Sequence, residues 1–332
     1  MKAYVCEAFG PLDTHGPGEL PRPEPKTGEV RIRVVDAGVN FYDTLIVQGK
    51  YQVKPAVPFA PGGEVAGVVD AVGPGVTDLA PGDRVMAFTS YGGFAEYVVA
   101  KDTMTWPLPQ GVRFAQAASG LVTFGTAWFA LMDLTHLAKG ETVLVLGAAG
   151  AVGQAAVQIA KHAGAEVIAA AGSEARLEIC RQLGADHTIN YTEASLKDAV
   201  KQLTQGRGAD VVVDVVGDRF TDEAVRALAW RGRLLVIGFA AGAIPKIPAN
   251  LLLLKGASAQ GVFWDEMLRR EPELAEQHMR EIAALWASGA LQPTEPVVHE
   301  LDRAGEALDA LARRAAAGKL IISTGREDRH SS

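Results

Sequence analysis

The stretch that most narrows what this chain can fold into runs from Thr142 to Lys161. It holds an apolar, β-rich run (Thr142-Val-Leu-Val-Leu146), a glycine turn (Gly147-Ala-Ala-Gly150-Ala-Val-Gly153) and a segment of helical period (Gln154-Ala-Ala-Val-Gln-Ile-Ala-Lys161). Strand, glycine turn and amphipathic helix in that order open a Rossmann unit, so a dinucleotide is the expected guest. The glycines have separate tasks. Gly147 permits a tight turn, Gly150 keeps side chains away from a pyrophosphate approaching the backbone amides, and Gly153 lets the helix lie against the strand. The helix N-terminus, with Gly150, Ala151, Val152 and Gly153, then faces the anion. The spacing is GxxGxxG and not GxGxxG, so the assignment rests on the strand before it and the helix after it.

A second apolar strand ends at Gly172-Ser173, roughly 20 residues past the glycines, where an NAD enzyme places an acid to hold the adenosine ribose. No acid ends this strand. Ser173 and Arg176 offer a hydroxyl and a guanidinium to a ribose 2′-phosphate, which predicts NADPH over NADH. The competing reading gives the ribose to Glu174 and leaves Arg176 as a solvated helix residue.

At 332 residues the chain is long enough for two cores. A net charge of −7 argues against broad binding to nucleic acid or to an anionic membrane. Cys6 and Cys180 form no CxxC pair and no disulfide framework, which suits a reducing compartment and predicts a cytoplasmic location. The first residues carry charge and no long apolar run, so they do not read as a signal peptide. Leu251-Leu-Leu-Leu254 is too short to cross a bilayer.

Up to about residue 120 the pattern is short strands cut by turn signals such as Gly73-Pro74-Gly75 and Pro81-Gly82-Asp83, which predicts a compact β-barrel-like unit. From 114 to 137 the texture turns Ala-rich and helical. Strands are then expected at 143–146, 166–171, 187–191, 210–216, 233–238 and 257–263, with helices such as 174–183 and 195–203 between them. That alternation predicts an α/β class with a doubly wound parallel sheet joined by right-handed crossovers. The tail is helix-rich and ends in Gly318-Lys-Leu-Ile-Ile-Ser323, a strand with nothing left to pair with in that sheet. It is expected to return to the first domain, giving boundaries of 1–120, 121–264 and 265–332.

Several separated segments carry a resemblance that spans nearly the whole chain: Gly38-Val-Asn40-Phe-Tyr-Asp43, Pro61-Gly-Gly-Glu64-Val-Ala-Gly67, Gly82-Asp-Arg-Val85, Gly92-Gly-Phe-Ala-Glu-Tyr97, the 147–153 turn, Gly184-Ala-Asp186 and Ile189-Asn-Tyr191. They resemble the zinc-free quinone oxidoreductases, the zeta-crystallin-like branch of the medium-chain dehydrogenase/reductase superfamily. The resemblance implies a GroES-like, β-rich catalytic domain interrupted by a Rossmann domain. In the alcohol dehydrogenase branch a Cys and a His bind catalytic zinc where this chain has Asn40 and Gly63. Neither is a usual zinc ligand, and the seven histidines form no ligand spacing, so no metal is expected. Without a Lewis acid, the fitting acceptor is a quinone or enone, whose conjugation spreads the charge that hydride brings.

The resemblance also implies site residues. Asn40, Tyr42, Tyr51 and Thr126 are the catalytic candidates, although Asn40 also suits a turn, the tyrosines suit a core, and Thr126 suits any helix. Relatives often carry a further tyrosine where this chain has Leu45, which leaves the proton donor open. Asp43 reads as a turn-fixing residue. Tyr191 and Arg314 are expected near the 2′-phosphate, with Arg313 competing for the second role. Gly217, Ile237, Gly238 and Phe239 lie at strand ends where ligands bind, followed by Val262 and Phe263. The apolar 249–261 stretch leads into an edge strand, and a homodimer through that edge is implied. The readings left open are a quinone reductase, a reductase of an activated C=C bond in an enone or enoyl thioester, and a non-catalytic NADPH- or RNA-binding crystallin-like protein. The acidic balance weighs against RNA.

Overall fold

The computed structural model describes residues 1–316 and 318–325. The chain forms two compact units, one made of Met1–Val122 and the chain from Glu271 onward, the other of Thr123–Arg270. Each unit is built around its own sheet.

In the first unit, β1 (Lys2–Val5) and β2 (Gly16–Glu19) form a small antiparallel pair. A larger sheet follows with β3 (Glu29–Val39), β4 (Glu64–Val72), β5 (Arg84–Phe88), β6 (Tyr97–Lys101) and β7 (Thr105–Pro107). Val30, Ile32 and Val34 alternate along β3 and meet Val65 and Val69 of β4, Phe94, and Val98 of β6 in one apolar cluster. The short helix α1 (Phe41–Ile46) leaves β3 at Asn40, whose backbone amide donates to the Asp43 carboxylate at 2.7 Å. The mostly buried helix α2 (Phe114–Trp128) runs on into a wider π-type turn at Phe129–Leu134.

The second unit is the doubly wound sheet. Its strands are β8 (Thr142–Leu146), β9 (Glu166–Ala171), β10 (His187–Asn190), β11 (Ala209–Asp214), β12 (Leu228–Val236) and β13 (Ser258–Gly261). They lie in the order β10-β9-β8-β11-β12-β13, and every pairing is parallel. Helices α3 (Ala151–His162), α4 (Glu174–Gln182), α5 (Leu196–Leu203), α6 (Arg219–Ala227) and α7 (Ala249–Lys255) make the connections. Central strands covered on both faces need unbroken apolar runs, and Val143–Leu146 and Val211–Val213 are fully buried. Strand β12 starts earlier than expected. Leu228 pairs with Ala209 before a bulge, and Arg231 takes a left-handed φ of 62°. The unit also extends past the expected boundary at 264. Helix α8 (Trp264–Arg270) belongs to it because the Trp264 indole lies against Gly125 of α2, where a β-carbon would come within 2.5 Å of the ring.

The chain then returns to the first unit through α9 (Pro272–Ala287), β14 (Val297–Glu300), α10 (Ala304–Ala312) and β15 (Leu320–Ser323). Strand β15 runs parallel to β14 and antiparallel to β3, with Leu320 opposite Val39. On the other side of β3, Gly38 sits opposite Glu64 of β4. Three segments far apart in sequence therefore converge: the residue before β15 (Lys319), the residue after β3 (Asn40) and the first residue of β4 (Glu64).

Candidate active site

In a parallel sheet all carboxyl ends share one edge, and in the second unit that edge gathers the nucleotide candidates. Gly147 follows β8 with φ of 63°, a value that favours glycine. At Gly153 a β-carbon would lie 2.4 Å from the Gly147 carbonyl oxygen and 2.7 Å from the Ala148 Cα, so only glycine lets α3 approach so closely. Gly150 caps α3 with no side-chain acceptor. The first-turn amides of Ala151, Val152 and Gly153 are the groups a helix start offers to a pyrophosphate.

Beyond β9, Gly172 and Ser173 lie half-buried, and the Tyr191 ring passes 3.3 Å from where a β-carbon on Gly172 would be. Tyr191 packs against Phe220 with ring centroids 4.6 Å apart. Ser173 caps α4, and Arg176 is exposed on its first turn. The competing ribose ligand, Glu174, pairs with Arg181 at 2.6 Å. At the end of β11, Gly217 adopts φ of 71° and closes against Phe239, whose Cδ1 would be 3.0 Å from an added β-carbon. Ile237 and Gly238 follow β12, while Val262 and Phe263 follow β13, Val262 buried and Phe263 exposed. The strand ends thus bring all the second unit's cofactor candidates to one edge. Thr126 lies apart on α2, buried.

Sequence reasoning missed Asp214, the last residue of β11. Its buried carboxylate accepts the Val216 and Gly217 amides at 2.9 and 2.8 Å and the Thr221 hydroxyl at 2.6 Å, which fixes the Gly217 turn. An acid closing the run Val211-Val-Val-Asp214 was the available signal.

The first unit carries the remaining candidates. Asn40 is buried, and its amide is engaged from two sides. The oxygen accepts from Lys319 Nζ at 2.7 Å, and the nitrogen donates to Glu64 Oε2 at 2.8 Å. Lys319 also donates to Glu64 Oε2 at 2.7 Å, and the other Glu64 oxygen accepts the Val122 amide at 2.8 Å. Gly38 makes room: a β-carbon there would lie 2.2 Å from Glu64 Oε2. Neither Glu64 nor Lys319 was singled out from sequence, although a charge at the head of each apolar strand was visible. Tyr42 and Tyr51 stack at 5.5 Å, and Phe88 meets Tyr42 edge-on at 6.4 Å. Phe9, Phe41 and Tyr91 stand exposed in the same unit, with Phe59 bridging Phe9 and Tyr91. Arg314 also belongs here, in a left-handed turn after α10, while its competitor Arg313 is paired with Asp309 at 2.8 Å.

Asp43 is the most perturbed acid of this network. Complete burial raises its pKa to about 7, against the pull of the Asn40 and Gly62 amides and the Lys319 charge and with the push of Glu64. It anchors the corner between β3 and α1, as expected of a turn-fixing residue, by accepting the Asn40 amide and, at 3.1 Å, the Gly62 amide.

This two-unit architecture defines a class. Residues 26–110 match the alcohol dehydrogenase GroES-like domain, and residues 151–282 match the domain described as a zinc-binding dehydrogenase. A quinone oxidoreductase-like protein 2 homolog of Nematostella vectensis is 40% identical over 90% of this chain and 82% of its own length. The Escherichia coli quinone oxidoreductase, solved in complex with NADPH, superposes with a TM-score of 0.90 at 27% identity, covering 97% of this chain and all (100%) of that one. The CurK enoyl reductase gives 0.88 at 27% identity, covering 97% and 98%. The chain belongs to the quinone oxidoreductase family, the zinc-free, zeta-crystallin-like branch of the medium-chain dehydrogenase/reductases.

The zinc in that domain description does not fit the residues here. Asn40 and Gly63, the two places that the resemblance sets against a zinc-binding Cys and His, offer no usual ligand, and no side chain can be accommodated at 63. A β-carbon there would lie 2.6 Å from the Ser90 carbonyl carbon and 2.8 Å from its Cα, which are backbone atoms that cannot swing aside. Among the described residues no three His, Cys, Asp or Glu side chains gather as a ligand set.

The raised Asp43 pKa sets a direction for stability. An acid that holds its proton more tightly when folded contributes fully below its unfolded value, 3.8, and loses that contribution as pH rises through about 7. Wild-type stability measured against Asp43→Asn is therefore expected to fall between these two values, by on the order of a few kcal/mol, and to level off above them. Thermal melting of both proteins across that range checks it; a flat difference would rule out the buried acid.

Proposed function

We propose that this chain is an NADPH-dependent quinone reductase that works without a metal ion. The observation that carries the reading is the closed metal position. Backbone against Gly63 and an ammonium already on Glu64 support an acceptor that takes hydride without a Lewis acid. The names of the relatives point the same way.

The second unit suits NADPH. The glycine turn and the α3 amides would hold the pyrophosphate, while Ser173, Arg176 and Tyr191 surround the place of the 2′-phosphate at a strand end that carries no acid. When bound, NADPH supplies a hydride, two electrons with one proton, and a second proton taken up at oxygen completes a hydroquinone. The first unit's share is to bind a flat conjugated acceptor, for which Tyr42, Tyr51, Phe41 and Tyr91 offer aromatic surface. Asn40 supplies an amide, and Tyr42 and Tyr51 supply phenols that can donate to an oxygen gaining charge.

One observation favours a second reading. The likeness to the CurK enoyl reductase supports reduction of an activated double bond as the alternative. NADPH oxidation followed with an ortho-quinone, a para-quinone, an enone and a short enoyl thioester separates the two, and turnover with quinones alone is the expected outcome. Turnover confined to the enone or thioester selects the second reading, and NADPH binding without turnover removes both.

Arg176→Glu is expected to weaken NADPH while sparing NADH, shifting preference on the order of tenfold because a screened, exposed charge is reversed beside a phosphate. Equal loss of both cofactors in binding titrations would take Arg176 out of the phosphate site.

We also infer a homodimer through β13, the edge of the six-stranded sheet. Trp230, Leu253 and Leu254 are 69%, 81% and 70% exposed, and the Trp230 ring lies over Gly256, next to that edge. An apolar group of this kind beside an unpaired strand is what a two-fold interface buries. Sedimentation should give a dimer for the wild type and a monomer for Leu253→Glu/Leu254→Glu; a monomeric wild type refutes the inference.

A further inference from the structure

Two positions that supply zinc ligands in the alcohol dehydrogenase branch are taken here by an amide and a glycine, yet the site keeps a cation. Lys319, the residue before the returning strand β15, places its ammonium 2.7 Å from both Asn40 Oδ1 and Glu64 Oε2. Lys319 is 4% exposed and Glu64 0%. Lys319 lies 279 residues from Asn40 and 255 from Glu64, so its place between them is made by the register of β15, β3 and β4 and by nothing local.

The chemistry of the neighbours fixes the middle member. An ammonium has only hydrogens to give, so it must face the Asn40 oxygen. An ionised carboxylate has only lone pairs, so it must face the Asn40 nitrogen. The amide is thereby held in one of its two flips, with one N–H donated to Glu64 and the second N–H without a partner among the described residues. With Lys319 gone, the Asn40 oxygen would lose its donor, and one of the two contacts that fix the flip of the amide would be missing.

We infer that Lys319 is a positioning residue of the acceptor site: it sets the Asn40 amide so that an N–H, and not the carbonyl, is the group offered to the acceptor oxygen as that oxygen gains charge. The side chain also brings a fixed positive charge beside Asn40. This rests on the reading of Asn40 as an acceptor-site residue. A mere staple between the tail strand and the barrel would need the Lys319–Glu64 pair but would be indifferent to which way Asn40 turns.

The test is Lys319→Ala, assayed with whichever acceptor the wild type turns over, so that a chain reducing enones instead of quinones leaves the Lys319 inference standing. The expected result is a loss of kcat on the order of 100-fold, the scale of one lost donor to a developing oxyanion. NADPH affinity should stay within about twofold, because the acceptor-side amide and not the nucleotide edge is disturbed. Added ethylammonium should restore kcat saturably by refilling the cavity with N–H donors, and tetramethylammonium, which has none, should not. A folded Lys319→Ala with wild-type kcat, or rescue by both cations alike, overturns the inference. If Lys319→Ala does not fold, Glu64→Gln/Lys319→Met removes both charges together and leaves no buried ion unpaired. The same loss of kcat with NADPH binding intact in that double variant supports the role, and a wild-type rate in it overturns the role.

Discussion

A carboxylate and an ammonium sealed inside an apolar sheet persist only as partners, since either one left alone costs several kcal/mol. Glu64 and Lys319 meet that condition, and much of the first unit follows from their meeting. Glu64 heads β4, Lys319 precedes β15, and β3 lies between those strands. A slip of β15 by one residue against β3 would carry Lys319 off the carboxylate. Gly38 on the intervening strand has no side chain because the Glu64 carboxylate occupies the space one would need. The second oxygen of Glu64 accepts the Val122 amide in the middle of α2, so one carboxylate ties together that helix, the Asn40 corner and the tail.

The second unit answers to a different constraint. Its sheet is parallel and its central strands are buried, so those strands carry no polar alternation, and chemistry is confined to the loops at their carboxyl ends. There the work falls largely to the backbone. Gly147, Gly153 and Gly217 are glycines because of a left-handed φ or a close approach, and Asp214 holds the Gly217 turn by accepting two of its amides. Anion recognition by amides at a helix start needs no charged side chain. Selection for a second phosphate does need one, the role proposed for Arg176, which is exposed on the first turn of α4.

The units therefore divide the proposed reaction by chemistry. One presents hydrogen-bonding backbone for a nucleotide. The other presents aromatic faces and a buried polar network of Asn40, Asp43, Glu64 and Lys319 for an acceptor. A metal ion would offer a stronger field and an open coordination position, and that suits an alcohol or aldehyde. A fixed ammonium that acts through an amide offers less, which is enough when the acceptor's own conjugation carries the new charge.

Much was legible in the chain itself. The Thr142–Lys161 stretch determined a Rossmann unit, the spacing of later apolar runs located all six of its strands, and the unpartnered run at 318–323 foretold the return of the tail. These are local signals, carried by hydrophobic period and by glycines whose backbone angles no other residue adopts cheaply. The early start of β12 and the capture of α8 by the Rossmann unit were not legible, because one depends on a bulge and the other on an indole finding a glycine across the unit. Nor were Glu64 and Lys319, whose partnership has no local signature. Sequence fixes which residues carry charge, but only the register of three strands decides that two such charges, 255 residues apart, share one buried site with Asn40 between them.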